Sequence, residues 1–152
     1  MDVDVRTEIL IERPVADVFG YAVEPANAPS WYANIRSAQW CTTPPLAVGS
    51  RFAFVAHFLG RRLAYTYEVV ELVPFERLAM RTEQGPFPME TTYTWQSEGS
   101  DRTCMALRNR GTPSGFASMA APILGQAMHR ANTQDLARLK GLLEAPCAPG
   151  DW

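Results

Sequence analysis

The feature that most constrains this chain is its middle, residues 35–110, where apolar and polar residues alternate again and again between turn signals. Phe52, Phe54, Ala56 and Phe58 fall on one side of a run at 51–59, with Ala53, Val55 and His57 on the other. After a tight turn at Gly60-Arg61, Leu63, Tyr65, Tyr67 and Val69 share a face, opposite Arg62, Ala64, Thr66 and Glu68. A short run at 77–82, a run with Met89, Thr91, Tyr93 and Trp95 in phase, and another at 102–110 follow, separated by Gly- and Pro-rich turns. Period-two alternation with a turn every 10–12 residues or so predicts an antiparallel meander with one buried face.

The flanks differ. Val3, Val5, Thr7, Ile9 and Ile11 predict a first half-buried strand, and Pro14 stops it and opens a helix carrying Val15, Val18, Phe19 and Ala22 on one face. Pro25 and Pro29 bracket a second short helix that ends at Trp31-Tyr32. The last third is helical, with Ser114 as candidate N-cap and a stripe of Leu124, Met128, Ala131, Leu136, Leu139 and Leu143. Pro122 predicts a break at 120–123 that frees residues 115–121 as a lid segment. Strands grouped together and flanked by helices give an α+β class: a curved antiparallel sheet of six to seven strands wrapped around a long C-terminal helix, with two short helices after the first strand. One helix cannot fill such a sheet along its whole width, so the remainder is expected to be a cavity.

A chain of 152 residues reads as one domain, residues 1–152, with a loose tail from about 146. Its 14 basic and 16 acidic residues leave a net charge of −2, without the basic excess that nucleic acid or an anionic membrane calls for. No apolar run is long enough for a membrane helix, and Met1-Asp2-Val3-Asp4 lacks the basic start of a signal peptide. Cys41, Cys104 and Cys147 are odd in number and widely spaced, which predicts free thiols in a reducing cytoplasm. A monomer, or a homodimer through an exposed sheet edge, is expected.

Several segments resemble a known family. Residues 11–19, Ile-Glu-Arg-Pro-Val-Ala-Asp-Val-Phe, with Asn27-Ala28-Pro29-Ser30-Trp31, look like the opening of the SRPBCC superfamily, also called the START-like or helix-grip fold. Tyr67-Glu68-Val69-Val70-Glu71-Leu72-Val73-Pro74 and Asp135-Leu136-Ala137-Arg138-Leu139-Lys140 are similar to its polyketide cyclase/dehydrase-like branch. The likeness spans nearly the whole chain. It implies the helix-grip fold and a small hydrophobic ligand. No Cys/His cluster of the Rieske-oxygenase members is present, so no iron centre or other metal is expected. Without a phosphate-binding glycine loop either, no cofactor is expected.

The candidate ligand-binding residues are Trp31, Phe54, Phe58, Tyr65, Tyr67, Met80, Met89, Tyr93, Asn109, Met119 and Ile123. Aromatics and methionines at these spacings serve core packing as readily as a pocket. As a set they suit an apolar cavity with a few oriented hydroxyls. Trp31 is expected near the mouth. Asn109 shares parity with Met105 and Leu107 and offers an amide. His57 has the chemistry of a general acid or base but the parity of the outer face, and His129 reads as a solvated helix residue. Glu68, Glu90, Arg81, Arg108 and Arg110 read as an outer salt-bridge ladder. Ser30, Ser114 and Ser118 lack a nucleophile-elbow setting. Two functions remain open: binding or carriage of a lipid, polyketide or isoprenoid-like molecule, and a cyclase or dehydratase acting on one. The second needs an ionisable pair facing the cavity.

Overall fold

The computed structural model describes residues 3–58, 60–84, 88–112 and 121–145; of Phe58, Glu83, Gln84 and Ala121 it describes the backbone. Strand β1 (Val3–Ile11) is followed by helix α1 (Val15–Ala22), a 3-10 turn (Pro25–Asn27) and helix α2 (Ala28–Trp31). Then come β2 (Ile35–Trp40), β3 (Arg51–Phe58), β4 (Arg61–Val73), β5 (Arg77–Gln84), β6 (Met89–Ser97), β7 (Thr103–Gly111) and helix α3 (Ala121–Glu144). This is the α+β helix-grip arrangement.

The seven strands form one sheet in the order β1-β7-β6-β5-β4-β3-β2. Every neighbouring pair is antiparallel; β2 to β7 run as a meander, and β1 closes against β7 with Ile9 opposite Met105. Bulges interrupt the register at Ile35/Ser37, at Thr66/Tyr67 and at Val69/Glu71. An extra residue increases local twist, so the bulges help bend β4, the 13-residue strand, into the curve. The bulge at Val69/Glu71 also shifts parity, and beyond it Leu72, not Glu71, packs toward the core.

The concave face carries Phe52, Tyr67, Leu78, Tyr93, Trp95, Met105 and Leu107, all buried. Helix α3 lays Leu136, Leu139 and Leu143 against this face, while α1 adds Val18 and Ala22. Fully burying such a side chain contributes roughly 1.5–3 kcal/mol. Hydrogen bonds pin the C-terminal half of α3. Lys140 Nζ donates to the Leu10 carbonyl (2.8 Å), Arg13 Nη1 to the Leu143 carbonyl (2.6 Å), and Arg138 Nε to the Ser30 carbonyl (2.7 Å).

The convex face carries the ladder. Cross-strand register aligns Arg51, Glu68, Arg81, Glu90, Arg110 and Asp4 in that order across six strands, with alternating sign. Arg81 and Arg110 both reach Glu90 (3.4 and 2.9 Å), and Arg108 holds Asp4 through two nitrogens (2.9 and 2.6 Å). These guanidinium groups hold the Asp4 and Glu90 carboxyls below their ordinary range.

Pro122 is the second residue of the described helix, and Ala121–Glu144 is helical through it. There its missing N–H costs no hydrogen bond within the described helix. The expected break is therefore absent over 121–123, and Ala121, placed in the expected lid at 115–121, is helical; residues 115–120, Ser114 and Cys147 lie outside the described residues. Cys41 and Cys104 are free thiols. Among the described residues, no helix is long and apolar enough to cross a membrane.

Candidate functional site

Between the concave face and α3 lies a cavity of about 660 Å³. It exists because the described helix packs most closely over β1 and the α1–α2 end, leaving the aromatic rows of β3, β4 and β6 partly uncovered. Of the candidate residues, Trp31, Phe54, Tyr65, Tyr67, Met80, Met89, Tyr93, Asn109 and Ile123 line this space. Phe58 lies in β3, but its side chain is outside the described residues, and so is Met119. Ile123 forms the rim and is 67% exposed. Trp31 corrects the expectation of a residue at the mouth. It is fully buried, packed against Tyr32 and Tyr93 with ring centroids 4.0 and 6.0 Å away. The short α2 turns its indole inward, where Ala28 is buried on the same face.

The aromatic wall is continuous. Phe54 stacks on Tyr65 (5.5 Å) and meets Tyr67 edge-on (5.8 Å), and Tyr65 meets Tyr67 edge-on (5.3 Å). Offset and edge-to-face contacts of this kind add to the area effect and fix the rings.

Two polar clusters interrupt the apolar lining. The first spans three strands: Tyr67 Oη is 2.8 Å from Thr91 Oγ1, which donates to Asn109 Oδ1 at 2.7 Å. Thr91 has one hydroxyl proton, and it is used on Asn109, so Tyr67 is the donor in its contact with Thr91. Burial pushes the Tyr67 phenol up to about 12. The second lies where α2 faces α3. Tyr32 and Tyr93 share a short hydroxyl–hydroxyl hydrogen bond, and Asp135 Oδ1 accepts from the Ala33 N–H at 3.0 Å. Asp135 is 2% exposed. Burial pushes its carboxyl up to about 6, against the pull of the Ala33 N–H and the Arg138 charge. Burial also pushes the Tyr32, Tyr65 and Tyr93 phenols well up, and the Asp135 charge adds to each. Among the described residues, the buried Nδ2 of Asn132 and Nε1 of Trp31, both in residues lining the cavity, have no hydrogen-bond partner.

Tyr32, Thr91, Asn132 and Asp135 were not among the candidates. Thr91 shares parity with Met89 and Tyr93, which was a usable signal. Asp135 sits four residues after Ala131 and four before Leu139, and Asn132 four after Met128, so both interrupt the apolar stripe of α3. A polar residue inside a buried stripe requires a partner or a purpose. His57 and His129 are exposed, in keeping with the outer parity of the first. Among the described residues, no group of three or more His, Cys, Asp or Glu side chains is placed to hold a metal ion.

The sequence profile of the family described as polyketide cyclase/dehydrase and lipid transport matches residues 2–144. The chain belongs to this family. Among solved structures, TTHA0849 from Thermus thermophilus superposes with a TM-score of 0.80 at 19% identity, covering 92% of this chain and 96% of that one. The Zhui aromatase/cyclase from Streptomyces sp. R1128 superposes at 0.78 with 15% identity, covering 95% and 94%. A START superfamily protein from Mycobacterium smegmatis superposes at 0.81 with 12% identity, covering 93% and 97%. At these identities the likeness establishes the fold alone. No curated protein matches the chain. Within the polyketide cyclase/dehydrase and lipid transport family, the grip of sheet on helix holds a hydrophobic ligand-binding fold, and the cavity described above lies inside that grip.

Proposed function

We propose that this protein binds a small hydrophobic molecule, polyketide-, isoprenoid- or lipid-like, in the cavity between the sheet and α3. The observation that carries the reading is the cavity itself: about 660 Å³, walled by Phe54, Tyr65, Tyr67, Trp31 and Tyr93. Ligand sites are commonly apolar clefts of ~300–1,000 Å³ with a few fixed polar groups. Filling this space with an aromatic or polyketide-sized molecule would complete the packing that α3 leaves unfinished. Native mass spectrometry of the purified protein tests this: a bound mass released on unfolding supports it. Protein that arrives empty and takes up no apolar probe overturns it.

A second reading, cyclisation or dehydration of a polyketide-like chain, draws on the cluster of Tyr32, Tyr93 and Asp135. The two phenols are a hydrogen-bonded ionisable pair facing the cavity. Burial keeps both protonated; one proton is spent on the bond between them, and the other is left to donate to a developing enolate or alkoxide oxygen. Asp135, pushed up to about 6, is largely a carboxylate at neutral pH and has a basicity suited to removing the acidic proton between two carbonyls. The enolate carbon then attacks a second carbonyl of the chain, and as the C–C bond forms the former carbonyl oxygen takes the Asp135 proton and becomes a hydroxyl. Asp135 next removes the remaining proton of the attacking carbon and returns it to that hydroxyl, which leaves as water when its C–O bond breaks. Incubation with a poly-β-ketone, followed by mass analysis for loss of water, separates this reading from passive carriage. Activity lost in Asp135→Asn and retained in Glu90→Gln would establish it.

A further inference from the structure

The cavity holds a charge that, among the described residues, only the exposed Arg138 partly offsets. Asp135 is buried, and its hydrogen bond comes from a neutral donor, the Ala33 N–H. Arg138, one turn further along α3, is exposed and spends its Nε on the Ser30 carbonyl. The groups facing Asp135 from the other elements are the Tyr32, Tyr93 and Tyr65 phenols, whose ionisation its charge disfavours. The other charged residues of the lining are Glu24 and Arg61, and Arg61 stands exposed at the start of β4. Residues 59, 85–87 and 113–120, outside the described part, contain no lysine or arginine. Next to Asp135 in the lining, Asn132 Nδ2 is buried with no partner among the described residues.

A buried carboxylate whose nearby cation lies out in solvent still repels a second negative charge in the cavity, because low-dielectric surroundings screen it little. The same carboxylate, in a cavity lined by Tyr32, Tyr65 and Tyr93, attracts an ammonium group or a hydroxyl donor. Resting on the binding function proposed above, we infer that the cavity selects ligands by charge: it admits neutral, hydroxyl-bearing or cationic aromatic-sized molecules, whose donor bonds the free lone pairs of Asp135, and it excludes anions such as free fatty acids. Asn132 Nδ2 then meets an acceptor oxygen on the same ligand, so a molecule with a hydroxyl and a carbonyl within a few ångströms satisfies both side chains.

Three probes of one shape test it: 2-naphthol, 2-naphthylmethylamine and naphthalene-2-sulfonate, titrated at pH 8 against tryptophan fluorescence. The naphthol and the amine are expected to bind at least about tenfold more tightly than the sulfonate, which is a modest share of the repulsion between unscreened charges. In Asp135→Asn, a near-isosteric change that keeps an acceptor for Ala33, the sulfonate should approach the naphthol. If that variant fails to fold, the intact protein serves. The sulfonate keeps its charge, so its binding should strengthen from pH 8 to pH 5 as Asp135 takes up a proton, while naphthol binding changes little. A sulfonate that binds as well as the naphthol at pH 8 overturns charge selection and leaves hydrophobic binding standing. An Asp135→Asn variant that still excludes the sulfonate also overturns it. Failure of all three probes overturns the binding function and this inference with it.

Discussion

Replacing Asp135 by asparagine should make the fold more stable at high pH. The carboxyl lies at about 6 in the folded protein against an ordinary 3.8, because burial disfavours its charged form. A folded-state value above the unfolded one means that the native state holds the proton more firmly. The contribution of Asp135 is therefore most favourable below about pH 4 and is lost as pH rises through 6. A shift of about two units at ~1.36 kcal/mol per unit amounts to about 3 kcal/mol, most of it spent between pH 4 and pH 8. Asparagine carries no such penalty and keeps an oxygen for the Ala33 N–H. Whatever constant offset its amide introduces, the unfolding free energy of Asp135→Asn minus that of the parent should rise by about 2–3 kcal/mol from pH 4 to pH 8. Urea titrations of both proteins at three or four pH values measure this. A difference that stays flat, or moves the other way, would refute the claim that desolvation of the Asp135 carboxylate outweighs its hydrogen bond and the Arg138 charge.

Other substitutions separate core from cavity. Leu139 is fully buried under the sheet, so Leu139→Ala should cost about 2–5 kcal/mol in a denaturant titration. Tyr67→Ala should cost clearly less than the ~3–5 kcal/mol of a large aromatic deletion, since one side of the ring already meets open space, while affinity for an apolar probe falls. A large stability loss with unchanged probe binding would mean that Tyr67 belongs to the core. Glu90→Gln breaks the centre of the ladder, but its arginine partners are half-exposed, so less than about 1 kcal/mol should be lost at low salt, and less still at high salt.

Strand parity carried most of the fold. Because side chains alternate with period two, the rows at Phe52–Ala56 and Leu63–Val69 reveal both the sheet and its concave face before any coordinates. The same parity put the charged ladder outside and Asn109 inside. The bulge at Val69/Glu71 was not legible, since nothing in Val69-Val70-Glu71 marks the residue that slips. The depth of Trp31 was not legible either, because a four-residue helix has too short a pattern to reveal which way it turns. The polar end of the cavity was missed for a different reason. Asp135 and Asn132 look like ordinary surface residues of a long helix unless their place on the apolar stripe is weighed against the cost of burying them. Tyr32 acquires meaning only through Tyr93, which is 61 residues away.

The central claim is that the space between sheet and helix is a ligand site. Its most direct test is a fluorescence titration of 2-naphthol into the intact protein and into Ala56→Trp. Ala56 is buried on the cavity wall, and an indole there would occupy much of the space a ligand needs. The intact protein should show saturable binding with one molecule per chain, and Ala56→Trp, still folded by its far-ultraviolet spectrum, should show none. Equal saturable binding by both proteins, or none by the intact one, would contradict the account.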